Sequence, residues 1–179
     1  MAERQIRCPV CMHHCLLQPG QIGRCRARKN ENGKSRPVNY GRLTALALDP
    51  IEKKPLAMFA PGSRILSAGS FGCNLSCPFC QNYEISMCEE EPETVYVSPE
   101  RLAEKALELR RQGNIGVAYT YNEPLVGYEY VRDTAALVRR AGMKNVIVTN
   151  GSVTEEVLEE ILPFTDAMNI DLKGITDAF

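Results

Sequence analysis

No stretch of this chain approaches the ~18–20 apolar residues that a membrane-spanning helix needs. The opening segment, Met1 to Arg7, is polar and lacks the apolar core of a secretory signal. A basic excess is also missing: Lys plus Arg number 21 against 22 Asp plus Glu, for a net charge of −1. Binding to nucleic acid or to an anionic membrane surface rests on clustered positive charge, so neither partner is expected. No internal repeat occurs, and the one biased tract, Glu89-Glu90-Glu91-Pro92-Glu93, reads as a solvated loop. Hydrophobic residues at 44% and charged residues at 24% suit a globular chain rather than a disordered one. The 179 residues suffice for one domain, or one domain with a small appendage. A cytoplasmic protein is the expectation.

Against this ordinary background stand eight cysteines. In a reducing compartment, clustered cysteines are more often metal ligands than disulfides. They fall into two local groups: Cys8, Cys11, Cys15 and Cys25, then Cys73, Cys77, Cys80 and Cys88. Two groups suit two local sites better than scattered core thiols. The first could bind zinc or an auxiliary iron–sulfur cluster, which would help an appendage too small to be held by burial alone. His13 and His14 are adjacent, and surface residence suits them better than joint ligation of one ion. Cys88 reads as a spare thiol.

The chain divides near residue 62. Residues 1–62 combine the first cysteine group, a polar turn over 29–35, and prolines at 50, 55 and 61 that forbid a long helix or a central strand. They read as a Cys-rich appendage of short strands with an irregular linker. Residues 63–179 alternate instead. Strands are expected at Arg64–Ser70, Ile115–Tyr121, Asn145–Thr149 and Ala167–Leu172. The first intervening helix starts at Ser98-Pro99-Glu100, the second stops at Gly142, and Ser152 with Glu155 suits a capping box for the third. Helices between apolar strands point to βαβ units and a parallel sheet, with chemistry at the carboxyl ends of the strands.

The decisive segment is Gly72-Cys73-Asn74-Leu75-Ser76-Cys77-Pro78-Phe79-Cys80-Gln81-Asn82. Three thiolates at this spacing can wrap one inorganic cluster, and three thiolates on four irons leave one iron open. Structural zinc, with Cys88 or a histidine as fourth ligand, fits the spacing equally well. The position of the loop at a strand end, among further polar motifs, favours the open cluster.

Cys73, Cys77 and Cys80, with Phe79 before the last cysteine, resemble the signature loop of radical S-adenosylmethionine (SAM) enzymes. The wider string resembles the branch of pyruvate formate-lyase-activating enzymes. More narrowly, it resembles the radical SAM member of the AmmeMemoRadiSam system. That match runs through Cys8-Pro9-Val10-Cys11-Met12-His13-His14-Cys15, Asp49–Leu56, the cysteine loop to Asn82, and Tyr119–Pro124.

The resemblance implies an α/β fold: a partial (β/α) radical SAM barrel with about four of six βα units, read as truncated after residue 179. It implies a [4Fe–4S] cluster on Cys73, Cys77 and Cys80, with SAM on the open iron. One electron would cleave SAM to methionine and a 5′-deoxyadenosyl radical, which takes hydrogen from an unidentified substrate. Phe79, Glu123, Thr149, Asn150 and Asp171 are the residues it implies around SAM. Tyr121-Asn122-Glu123 stands where the family has Gly-Gly-Glu, so Glu123 would meet the methionine amino group. An ordinary turn is the alternative there, as it is for Thr149-Asn150-Gly151, and an ion pair with Lys173 is the alternative for Asp171. Implied partners are a reductant such as ferredoxin or flavodoxin, and Memo-like proteins. A glycyl-radical-enzyme activase is the alternative within the class; a non-catalytic zinc-binding interaction module is the alternative outside it.

Overall fold

The structure, a computed structural model, describes residues 4–176. Its amino-terminal part carries two antiparallel ribbons, β1 (Ile6–Arg7) with β2 (Leu16–Leu17) and β3 (Arg28–Glu31) with β4 (Lys34–Pro37). Next come β5 (Arg42–Leu43), β6 (Ala45–Pro50) and β7 (Arg64–Gly69). After β7 the chain passes through the cysteine loop, α1 (Tyr83–Ser86) and β8 (Val95–Tyr96), which pairs with β5. It continues through α2 (Pro99–Glu108), β9 (Asn114–Tyr119), α3 (Tyr128–Arg140), β10 (Lys144–Thr149), α4 (Glu155–Ile161) and β11 (Ala167–Ile170).

One sheet organises the molecule, in the order β11-β10-β9-β7-β6. Strands β7, β9, β10 and β11 run parallel, as the helical crossovers between them require. Each helix returns the chain to the same end of the sheet, so the segments after β7, β9, β10 and β11 gather at one rim. Strand β6 is antiparallel to β7, from Ala45 opposite Gly69 to Pro50 opposite Arg64. Pro50 closes this edge strand, where a missing N–H costs the sheet least.

Side-chain alternation separates the two faces of the sheet. Leu66, Ala68, Val117, Tyr119 and Ile147 pack with Leu102 and Ala106 of α2 and Val131, Ala135 and Val138 of α3. Ile65, Ala118 and Val146 lie on the opposite face, with Ile51. Ser98 caps α2 by accepting from Arg101 N, and Pro99 takes the first turn, as its sequence suggests. The third crossover helix begins differently from expectation. Thr154, not Ser152, is the residue before α4, and its side chain makes no cap bond. Ser152 is engaged elsewhere, since its N–H and hydroxyl both donate to Asn150 Oδ1. A local side-chain bond has outcompeted the helix start.

The amino-terminal segment docks on this rim. Met12 N donates to Ser152 O, Thr154 N to Val10 O, and Thr154 Oγ1 to Pro9 O. Gly72 shows how close the approach is. Its φ is +85°, and a Cβ there would stand 2.5 Å from Cys25 O and 2.7 Å from Ala27 Cβ. Only glycine tolerates both the left-handed backbone and the contact.

Candidate functional site

A cavity of about 490 Å³ opens at the rim where the parallel strands end. Its walls include Cys73, Cys77 and Cys80 from the loop after β7, Tyr121 to Glu123 after β9, Thr149 and Asn150 after β10, and Asp171 and Lys173 after β11. Phe79 also lines it. Every residue singled out in the sequence for the cluster and for SAM therefore lines this one cavity. Lys53 and Lys54 line it as well.

The loop is built to present its sulfurs. Cys80 N donates to Cys77 O, a one-turn closure, and Leu75 N points at Cys73 Sγ at 3.4 Å. Asn150 Nδ2 stands 3.9 Å from the same sulfur and donates at 2.8 Å to Asn74 Oδ1. Asn74, 1% exposed, gives its own amide N–H to Ser152 Oγ and takes a bond from His13 Nε2 on its carbonyl. Burial pushes the Cys73 thiol up to about 11, with Glu123, Cys77 and Cys80 adding to the rise against the Leu75 N–H. A half-buried thiol of this kind becomes a thiolate when a metal cation offsets the charge.

The donor set suits a cluster. Among the described residues, no three His, Cys, Asp or Glu side chains stand together as ligands of a single ion. A cubane asks for something else: each thiolate anchors a different iron. Three thiols share this cavity, and no histidine or fourth cysteine is among the residues lining it. Cys88 donates its thiol to Ile85 O instead. The amino-terminal thiols are electrostatic neighbours of one another. Burial raises the Cys11 thiol, helped by Cys8 and Cys15, and lifts Cys25 to about 11, helped by Cys11 and Cys8.

Glu123 is 2% exposed and joins two strand ends. Oε1 accepts from Leu125 N at 3.1 Å and from Thr149 Oγ1 at 2.7 Å; Oε2 accepts from Asn150 N at 2.8 Å. Burial raises its carboxyl above the usual range, against the pull of those donors and of Lys173. Removing the carboxylate strands buried donors, each worth about 1–3 kcal/mol. Glu123→Ala is therefore expected to lower the urea midpoint clearly, and Glu123→Gln, which keeps an acceptor oxygen, to lower it less.

Asp171 makes the ion pair weighed in the sequence, with Lys173 Nζ at 2.8 Å, and also accepts from Asn169 Nδ2 at 2.6 Å. Burial pulls the Lys173 ammonium down, yet Asp171 and the nearby Cys77 and Cys80 hold it above its ordinary value. Two carboxylates, three lysine ammonium groups and three thiols thus share one chamber. Such a set can grip an iron cluster on one side and a zwitterionic amino-acid moiety on the other.

Sequence reasoning missed the network behind Lys54 and Tyr121, two of the residues that line the cavity. Asp49 Oδ2 accepts from Lys54 Nζ, Ser67 Oγ and Tyr121 Oη, each at 2.8 Å, and Lys53 Nζ is 3.4 Å from Oδ1. Burial disfavours the Asp49 carboxylate, but the bonds from Lys54, Tyr121 and Ser67 outweigh it and hold its pKa far below the usual range. A signal was present, since Asp49–Leu56 is a charged string in an otherwise irregular segment. Its remote partners, Ser67 and Tyr121, were not legible.

A family model described as the Radical SAM superfamily matches residues 69–179, more than half of the chain. The chain belongs to the radical SAM superfamily. Membership implies an enzyme, a [4Fe–4S] cluster and SAM, and the thiols described above lie within the matched region. Among curated proteins, the chain is 42% identical over 179 residues to "Uncharacterized protein MJ0808" of Methanocaldococcus jannaschii, covering 99% of the chain and 52% of that protein. It is 29% identical over 122 residues to pyruvate formate-lyase 1-activating enzyme of Escherichia coli strain K12, covering 65% of the chain and 48% of that enzyme. The chain thus spans about half the length of these relatives. A crystal structure of QueE from Escherichia coli aligns at a TM-score of 0.44 with 17% identity, covering 64% of the chain and 54% of QueE. Among the described residues, no helix is long and apolar enough to cross a membrane.

Proposed function

We propose that this chain carries the cluster and much of the SAM site of a radical SAM enzyme that cleaves SAM reductively and abstracts hydrogen from a substrate. The observation that carries this reading is the shared chamber: Cys73, Cys77 and Cys80 face the strand-end groups Glu123, Thr149, Asn150 and Asp171. When bound, the cluster and SAM supply electron transfer and the 5′-deoxyadenosyl radical. The protein's own part is positional. Cys73, Cys77 and Cys80 anchor the cluster. Glu123 and Asp171 meet the methionine amino and carboxylate region, the latter with Lys173 as counter-charge; Thr149 and Asn150 contact SAM from the end of β10. Phe79 lines the chamber beside Cys80 and contacts SAM.

Within this reading, residues 63–179 belong to a (β/α) barrel core with about four of six units, and residues 1–62 are a Cys-rich appendage and irregular linker whose β6 adds an antiparallel edge strand to the core sheet. The appendage strings and Tyr119–Pro124 support the AmmeMemoRadiSam type, with Memo-like partners, a ferredoxin or flavodoxin as reductant, and a cytoplasmic location. Similarity to pyruvate formate-lyase 1-activating enzyme supports a second reading, activation of a glycyl-radical enzyme. Cys8, Cys11, Cys15 and Cys25 are candidates for a second metal.

The test is anaerobic reconstitution with iron and sulfide, followed by SAM and dithionite. Release of 5′-deoxyadenosine and methionine is expected. Tight zinc at both cysteine groups with no iron uptake overturns the proposal in favour of a zinc-binding interaction module.

A further inference from the structure

The Asp49–Leu56 string and the Tyr-Asn pair that replaces Gly-Gly meet in one mechanical unit. Tyr121 has φ +76°, a left-handed backbone that is unfavourable for an aromatic residue. Such strain persists only where the surroundings over-determine it. Here the phenol donates to Asp49 Oδ2, and Lys54 Nζ lies 5.1 Å from the ring centroid, within cation–π range. The ring also fills the space beside Gly69, where a Cβ would come within 2.6 Å of Tyr121 Cδ2.

What that strained residue holds is the cysteine loop. Tyr121 O accepts from Asn82 Nδ2 at 2.9 Å, just beyond Cys80. Asn122 Nδ2 donates to Gly72 O at 2.9 Å and to Phe71 O at 3.1 Å, just before Cys73, while Asn122 Oδ1 accepts from Ser70 N. Two successive residues therefore grip the loop at both ends, and a buried ion pair between Asp49 of the edge strand and Lys54 beyond it grips one of them.

We infer that Tyr121 and Asn122 are positioning residues, a two-ended clamp on the cluster loop, locked by Asp49 and Lys54. Gly-Gly in this place could follow the backbone but could not reach Asp49 with a side chain or bond Gly72 O through an amide. The clamp rests on the cluster reading given above for its chemical purpose, but its mechanics do not.

Tyr121→Gly is the sharpest variant, because glycine keeps the left-handed backbone and the carbonyl that accepts from Asn82 while removing the phenol. Asn122→Ala releases the other end. In the metal-free protein, amide hydrogen exchange over residues 70–82 is expected to quicken at least tenfold in both, with β9 and β10 still protected. Unchanged exchange over 70–82 in both variants overturns the clamp, whether or not the protein is a SAM enzyme. In the reconstituted protein, compared at matched iron content, the dissociation constant for SAM is expected to rise about 10–100-fold, the scale on which losing a residue that supports a metal ligand costs metal affinity or activity. Tyr121→Phe, which keeps the ring over Lys54, should restore part of the affinity lost in Tyr121→Gly. An unchanged SAM affinity in Tyr121→Gly overturns the inference. If the unsubstituted chain takes up no cluster, that failure belongs to the proposed function, and the exchange data still decide the clamp.

Discussion

Cys77→Ala is expected to take up no stable [4Fe–4S] cluster under anaerobic reconstitution, losing the broad visible absorption and all SAM cleavage. Three thiols form the whole sulfur donor set of the chamber walls, so removing one leaves two irons of a cubane without protein anchors. Cys77 sits mid-loop, 8% exposed, and Cys80 closes on its carbonyl. Cys88, the next cysteine in sequence, bonds Ile85 O outside those walls. Cys88→Ala is accordingly expected to retain normal iron content. The comparison of the two variants, measured as iron and sulfide per chain, separates loss of a ligand from loss of any thiol.

Asp49→Ala is expected to cost about 3–5 kcal/mol of stability, the usual penalty for leaving one partner of a buried ion pair alone. Lys54 is the partner left behind; its side chain is 2% exposed and has Asp49 at 2.8 Å. Ser67 and Tyr121 lose their acceptor at the same time. Adding Lys54→Met removes the stranded ammonium, so the double variant should recover part of the loss. Denaturant unfolding of the three proteins measures both steps.

The same carboxylate sets a pH dependence. Its folded pKa lies below the ordinary value of 3.8, so its contribution to stability is fully present above that value. That contribution is lost as pH falls from there toward the folded pKa. The stability gap between the unsubstituted chain and Asp49→Ala should therefore be constant across neutral pH and begin to close only below about pH 4.

Much of the architecture was legible because it is local. Apolar runs such as Asn145–Thr149 and the Ser98-Pro99 start carry their structure in a few neighbouring residues, and β10 and α2 form there. The antiparallel edge strand was not, since nothing within Ala45–Pro50 says that its partner is Arg64–Gly69. The expected cap at Ser152 lost to Asn150, whose side chain is held by the cysteine loop 76 residues earlier in sequence. The site divides similarly. Cys73, Cys77 and Cys80 announce themselves by spacing, whereas the bond from Tyr121 to Asp49 spans 72 residues and leaves no periodic trace. Glu123 was legible as a strand-end carboxylate, but its role in bridging Leu125, Thr149 and Asn150 depends on burial that only the fold supplies.

The most direct measurement is the electron paramagnetic resonance spectrum of the anaerobically reconstituted, dithionite-reduced protein, recorded before and after adding SAM. An iron left without a protein ligand is open to the metabolite, so the cluster signal should appear and then shift when SAM is added. A cluster signal that SAM leaves unmoved, or a protein that fills the 73–80 loop with zinc and shows no signal, would contradict the account.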